Sequence, residues 1–458
     1  MHQHPIIIVE VTMKTPIIDF VKNYNESKTV RAHMPGHKGE QHLGFEHLDI
    51  TEIKGADSLF ECDSIIKESE QNSSALFDAH TFYSTEGSSL CIRAMLYLAT
   101  LYAKKEGKRP LVLAGRNAHK TFLSAVALLD LDVEWLFAKN SSYLSCVITP
   151  EELERKLSQM SEKPCAVYFT SPDYLGNTLD IKSISQVCKK YGVLLIVDNA
   201  HGAYLKFLEN SQHPLDNGAD MCSDSAHKTL PVLTGGAYLH ISKTADSFLK
   251  DNAKKALSLF ASTSPSYLIM QSLDFANQYI ANGYKERLST FINKVDDLKQ
   301  ILTDNGYTLS GDEPLKITIN AKNYGYTGEE LAQLLREQEI ECEFADPDFL
   351  VLMLTPSMTD SDMSKIKTAL LGIEKRDAIK TAVPQLSNPK KVMRVRDAVM
   401  SVSKIVDVKE SAGKVLSAVS VSCPPAVPVV VSGELIDENA VALFEYYNIT
   451  QCEVVEKQ

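Results

Sequence analysis

The segment SDSAHKTLPVLTGGAYLH (223–240) sets Ser225, His227 and Lys228 ahead of a Gly-Gly turn into an apolar strand. A lysine reacts with carbonyl groups to form a Schiff base only where its amine is partly desolvated and neutral. An isolated lysine is ordinarily a solvated surface charge, so Lys228 gains weight only from its company. Asp198 closes the apolar run VLLIV and delivers a carboxylate to the carboxyl edge of a strand, where it can pair with the protonated nitrogen of an aromatic cofactor or simply cap a helix. In STEGSSLCIRAMLYLA, Gly87, Ser88 and Ser89 precede a helical apolar pattern. Backbone N–H groups and two hydroxyls at a helix start suit a phosphate, and serine N-capping is the simpler alternative. His119 follows the run LVLA, where an imidazole can lie on an aromatic ring or serve as an ordinary hydrogen-bonded residue.

Histidines 33, 37, 42 and 47 fall in a loop containing glycine and proline, without a matching carboxylate pattern, so no metal is expected. The nine cysteines form no Cys-x-x-Cys pair, which points to a reducing cytoplasm.

The elements that must hold these residues alternate. LVLA (111–114), AVYFT (166–170) and VLLIVDNA (193–200) read as buried parallel strands, separated by helix-like stretches at 151–160 and 183–192, the latter ending in glycine. Strand-helix alternation predicts an α/β sheet whose ligands sit beyond the carboxyl ends of its strands. From about residue 250 the pattern becomes helical and then reaches shorter strands around KITINAKN and FLVLML. The expected division is an N-terminal segment (13–60), a large domain (61–290), a small α/β domain (291–380) and a C-terminal subdomain (381–458). Residues 1–12 read as a tag or upstream extension and are set aside.

At 458 residues the chain exceeds what one core supports, and 44% apolar with 23% charged residues is an ordinary globular composition. A net charge of -12 without a basic block excludes a polyanion such as nucleic acid as partner, and no run reaches the length of a membrane span. A small-molecule ligand fits better.

Together the segments RAHMPGHKG (31–39), DITEI (49–53), GSS (87–89), RNAHKT (116–121), SPDYLGNTLDI (171–181), VDNAHGAY (197–204), SDSAHKTLP (223–231), LFASTSPSYLIMQSLD (259–274) and ADPDFLVLMLTP (345–356) resemble the ornithine/lysine/arginine decarboxylase family, in its short Gram-positive form. The resemblance implies the aspartate-aminotransferase-like fold (fold type I), with a mainly parallel sheet in the large domain and smaller C-terminal α/β domains, and pyridoxal 5'-phosphate (PLP) as cofactor. It implies that Lys228 forms the Schiff base with PLP, Asp198 pairs with the pyridine nitrogen and His119 stacks on the ring. Ser88, Ser89 and Ser225 would hold the phosphate, His201 joins the cofactor-binding set, and His227 lies beside the reacting bond as a proton donor. It further implies a homodimer with shared active sites, in which the loop bearing Thr263 and Ser264 reaches the neighbouring subunit.

The activity implied is decarboxylation of arginine, lysine or ornithine to an amine that feeds polyamine biosynthesis. Cofactor residues alone do not choose which bond at the α-carbon breaks. Amino transfer, another lyase reaction, or a PLP-binding regulatory protein with little turnover therefore stay open, as does which of Glu343, Asp346 and Glu434 faces the substrate's far end.

Overall fold

A computed structural model describes residues 13–138, 142–385, 389–418 and 426–456; the 1–12 extension and Cys423 lie outside the described residues. Seven strands form the central sheet: β1 (Ala79–Ser84), β2 (Leu111–Gly115), β3 (Asp132–Leu136), β4 (Ala166–Thr170), β5 (Leu194–Asp198), β6 (Met221–Asp224) and β7 (Ala237–Ser242). Their order is β1-β7-β6-β5-β4-β2-β3, parallel from β3 to β6, with β7 antiparallel to both β6 and β1.

The expected strands are all present, and hydrophobicity explains their position. Every residue of LVLAG in β2 and of LLIVD in β5 is buried, as a sheet covered on both faces requires. Burying each Leu, Ile or Val side chain contributes about 1.5–3 kcal/mol. Helices Gly87–Lys105 and Lys120–Leu129 pack with one face of the sheet, and Pro150–Gln159 and Ile181–Tyr191 belong to the other. Local chemistry sets their ends. Thr149 and Glu152 make a capping box at the start of Pro150–Gln159, while Gly192, at φ 62°, ends Ile181–Tyr191 and releases the chain into β5.

The 21-residue helix Tyr284–Asp304 leads to a second, antiparallel sheet of β8 (Leu309–Ser310), β9 (Lys316–Asn320), β10 (Phe344–Ala345) and β11 (Phe349–Met353), ordered β10-β11-β9-β8. A third sheet, β12-β14-β13, is built from β12 (Ser403–Asp407), β13 (Leu416–Ala418) and β14 (Gln451–Val455). No helix among the described residues is long and apolar enough to cross a membrane.

Candidate active site

Beyond the carboxyl ends of β2, β4 and β5 lies a cavity of about 410 Å³ whose walls include His119, Thr170, Tyr174, Asp198, His201 and Lys228. Each arrives by a short connection from a rigid strand. Asp198 is the last residue of β5, His201 follows in the turn after it, and Lys228 sits in the short helix Ala226–Thr229 after β6. Gly202 is essential to that turn, because a Cβ there would lie 2.1 Å from Asn199 Oδ1.

Asp198 is buried, and Oδ2 accepts a hydrogen bond from the Tyr168 hydroxyl at 3.1 Å while Oδ1 accepts from Ala200 N at 3.2 Å. Burial holds its pKa above the usual carboxylate range, and the nearby Lys228 charge opposes that rise. A buried acid of this kind suits a protonated pyridine nitrogen. His119 caps helix Lys120–Leu129: Nδ1 accepts from Thr121 N at 3.1 Å and lies 2.9 Å from Thr121 Oγ1. Burial, with Lys228 and Lys120 near, pushes its pKa down to about 4, so the ring is neutral and suited to stacking. The sequence alternatives of hydrogen-bonded structural residue and cofactor residue are therefore compatible in His119.

Ser88, Ser89 and Ser225 lie outside the cavity wall but close to one another and to His119. Ser225 Oγ donates to Ser88 Oγ at 2.9 Å, and Ser89 Oγ lies 3.1 Å from Thr121 Oγ1, which links the hydroxyls to His119. Ser88 and Ser89 stand at the first turn of the 19-residue helix Gly87–Lys105, where N–H groups have no intrahelical partner. Gly87 has φ +71°, and a Cβ added to it would meet no atom within 4 Å, so the space over the loop is open. Glu86, the acid beside these serines, has its Oε1 engaged by Ser262 N at 2.7 Å. Thr170 Oγ1, on the cavity wall, is buried with no hydrogen-bond partner among the described residues. A buried acid, a neutral ring and a lysine in one cavity, with hydroxyls at a helix start linked to that ring through Thr121, fit PLP.

His227 stands apart. Its Nδ1 lies 2.9 Å from Gly236 O, to which it must donate, and it does not line the cavity. Burial lowers its pKa. Thr263 and Ser264 are exposed and absent from the cavity wall of their own chain.

Several site residues carry no sequence signal of their own. Lys316 in β9 lies 3.0 Å from His201 Nδ1, and Lys228 Nζ lies 2.8 Å from His201 Nε2. Tyr174 packs edge-on against His201 at 5.1 Å and donates from its hydroxyl to Glu343 at 2.8 Å. Of the three acids left open, Glu343 lines the cavity, Asp346 accepts from the backbone of Asp348 and Phe349, and Glu434 pairs with Arg116 at 2.9 Å. A buried group of His213, Asp224 and His240 was also hidden, since it assembles from separate segments. Asp224 Oδ2 lies 3.0 and 3.2 Å from the two histidine Nε2 atoms, which hold its carboxyl well below the usual range.

The sheet order, the cavity and its lysine define a PLP enzyme of fold type I. Solved structures share the fold: the lysine decarboxylase of Francisella novicida superposes with a TM-score of 0.80 at 16% identity, covering 96% of this chain and 81% of that one. Lysine decarboxylase A from Pseudomonas aeruginosa gives 0.78 at 16% identity, with 96% and 80% covered. In sequence, arginine decarboxylase of Bacillus subtilis is 26% identical, covering 94% of this chain and 92% of its own. Arginine decarboxylase of Halalkalibacterium halodurans is 27% identical over 95% and 94%. The family model for the Orn/Lys/Arg decarboxylase major domain matches residues 15–318, so the chain belongs to the Orn/Lys/Arg decarboxylase family. It is a PLP-dependent decarboxylase of basic amino acids.

Proposed function

We propose that the cavity holding Lys228, Asp198 and Glu343 is where a basic amino acid loses its α-carboxylate. The observation that carries this reading is the presence of two carboxylates with separate surroundings in one cavity: Asp198 at the end of β5, and Glu343 immediately before β10 of the second sheet. Asp198 is suited to the pyridine nitrogen. Glu343, already held by the Tyr174 hydroxyl, is suited to the cationic end of the substrate.

When bound, PLP supplies the electron sink that accepts the electrons of the broken carboxylate bond. In this reading Lys228 carries the cofactor covalently, and Ser88, Ser89 and Ser225 hold its phosphate at the helix start. His119 fixes the plane of the ring, and Asp198 keeps a proton on the ring nitrogen. Glu343 anchors the far end of the substrate and so orients the α-carboxylate for loss. Returning a proton to the α-carbon falls to Lys228 or His227. Neutral His227 has its proton on Nδ1, toward Gly236, and can donate from Nε2 only as the imidazolium that burial disfavours. That argument favours Lys228.

A homodimer with shared sites belongs to the same reading. Thr263 and Ser264 are exposed and line no part of their own chain's cavity, and Val30, Met34, Leu43 and Phe45 in the 13–60 segment are exposed apolar residues at 87%, 62%, 76% and 45%. A partner subunit would cover such surface. The free cysteines among the described residues suit a reducing cytoplasm, where the amine product would enter polyamine biosynthesis.

The test is carbon dioxide release by the PLP-loaded protein from arginine, lysine, ornithine and glutamate. Release from at least one basic amino acid and none from glutamate is expected; the names of the relatives put arginine first. No release from any basic amino acid at full PLP occupancy would overturn the reading.

A further inference from the structure

Asp224 ends β6, the strand next to β5, and is fully buried without lining the cavity. Its Oδ2 lies 3.0 Å from His213 Nε2 and 3.2 Å from His240 Nε2, and its Oδ1 accepts from Asn199 Nδ2 at 2.7 Å. An ionised carboxylate only accepts, so each histidine contact needs the proton on Nε2. The other ring nitrogens agree with that. His240 Nδ1 then accepts from the Thr81 hydroxyl at 2.9 Å, and His213 Nδ1 is buried with no partner among the described residues, a state that a lone pair bears at less cost than an N–H. Burial alone would raise the Asp224 pKa, and the two histidines overcome it, so the carboxyl stays ionised.

Asn199 links this carboxylate to the site. It follows Asp198 directly, and its amide must present Nδ2 to Asp224, because the reversed amide would set oxygen against oxygen. Its backbone N also donates to Ser223 O at 3.0 Å, and its carbonyl accepts from Gly202 N at 2.8 Å to close the turn that carries His201. On the other side, Ser225 follows Asp224, and its carbonyl accepts from Lys228 N at 3.0 Å. Asp198 and His201 thus belong to one end of the Asn199–Asp224 hydrogen bond, and Ser225 and Lys228 to the other.

We propose that Asn199 and Asp224 are positioning residues, whose hydrogen bond latches the turn bearing Asp198 and His201 to the element bearing Ser225 and Lys228. A ligand gripped from both elements binds tightly only while their spacing is kept. This latch rests on the reading that Lys228 and Asp198 hold PLP. A cofactor found on another lysine defeats that reading, whereas the latch is judged by the pH course of two variants and by ring protons of the cofactor-free protein.

The experiment measures PLP dissociation constants of the full chain, as wild type, Asn199→Ala and Asn199→Asp, across about pH 5 to 9. Asn199→Ala removes the donor, and its binding should be weaker than wild type by roughly tenfold or more at every pH. Asn199→Asp sets a second carboxylate against Asp224. One of the pair then takes up a proton, which restores a donor that is lost again as pH rises. Its affinity should stay within about threefold of wild type at the acid end and fall to that of Asn199→Ala or below at the alkaline end. The other ionisable groups around the pair are Asp198, His213, His240, Lys206 and the thiols of Cys91 and Cys222, present in wild type as well, so each affinity is taken as a ratio to wild type. Wild-type affinity in Asn199→Ala, or an Asn199→Asp ratio that does not change with pH, overturns the proposal. Two-bond nitrogen–proton NMR correlations of the cofactor-free wild type, assigned through His213→Gln and His240→Gln, decide it even if neither Asn199 variant folds. A proton on both Nε2 atoms is expected. A bare Nε2 on either ring, or a metal ion retained by these three side chains at about one per chain, overturns it, since an ion would take the Nε2 lone pairs.

Discussion

The Tyr168 hydroxyl donates to Asp198 Oδ2 across 3.1 Å, so the acid at the end of β5 is gripped from the neighbouring strand β4. Tyr168→Phe removes that donor from a buried carboxylate. A lost hydrogen bond to a charged group costs about 1.5–3 kcal/mol, so a fall in kcat of roughly 10- to 150-fold is expected, with PLP still bound. Asp198→Ala should reduce turnover further while phosphate and lysine still tether the cofactor. Steady-state rates beside cofactor absorbance check both, and unchanged turnover of Asp198→Ala at saturating PLP would remove Asp198 from its role.

Glu343→Gln keeps the shape of the side chain and its contact with Tyr174 but loses the charge. If Glu343 recognises the cationic end, kcat/KM for the preferred basic amino acid should fall roughly 10- to 150-fold, the range of a charge-assisted hydrogen bond, with cofactor occupancy unchanged. Equal values for variant and wild type would place recognition elsewhere.

His119→Asn retains an acceptor for Thr121 N, so the helix cap survives while the ring is lost. PLP should bind more weakly. The same variant carries a pH signature in the cofactor-free protein. His119 stays neutral in the fold down to about 4, whereas an unfolded histidine takes up its proton near ~6.5. Between these values the unfolded chain binds the extra proton, so stability falls as pH falls through that window. Denaturant melts at stepped pH should show a shallower loss over it for His119→Asn; identical slopes would mean that His119 is not held neutral by the fold.

Mixing inactive Lys228→Ala chains with inactive Thr263→Ala/Ser264→Ala chains tests the shared site. Half of randomly re-paired dimers are hybrids, each with one site combining an intact lysine and an intact loop, so recovery of about one quarter of wild-type activity is expected. Confirmed hybrids without recovered activity would show that the loop does not act across subunits.

Much of the site was legible because its chemistry lies at strand ends. Asp198 ends a buried apolar run and His119 follows another, so strand periodicity placed both at strand ends, while Ser88 and Ser89 were read as opening a helix and joined to them only through the family resemblance. β3, with the alternating DVEWL, and the four-residue β6 gave no continuous apolar run to read. Lys316 was illegible, and Glu343 could not be separated from Asp346 and Glu434, for a different reason. Lys316 lies in the second sheet and Glu343 immediately before its β10, and only the packing of that sheet over the first brings Lys316 to His201 and Glu343 to Tyr174. The turn at Asp173 shows a further limit: its carboxylate accepts from Leu175 N and Asn177 N to close the loop that presents Tyr174, a role that its side-chain type suggested only after the loop was seen.

The central claim is that Lys228 carries PLP, and borohydride reduction of the PLP-loaded protein followed by peptide mapping tests it most directly. The account predicts a reduced phosphopyridoxyl group on Lys228, with both the label and the visible absorbance lost in Lys228→Ala. A label on any other lysine, or a Lys228→Ala protein that keeps the absorbance and the label, would contradict it.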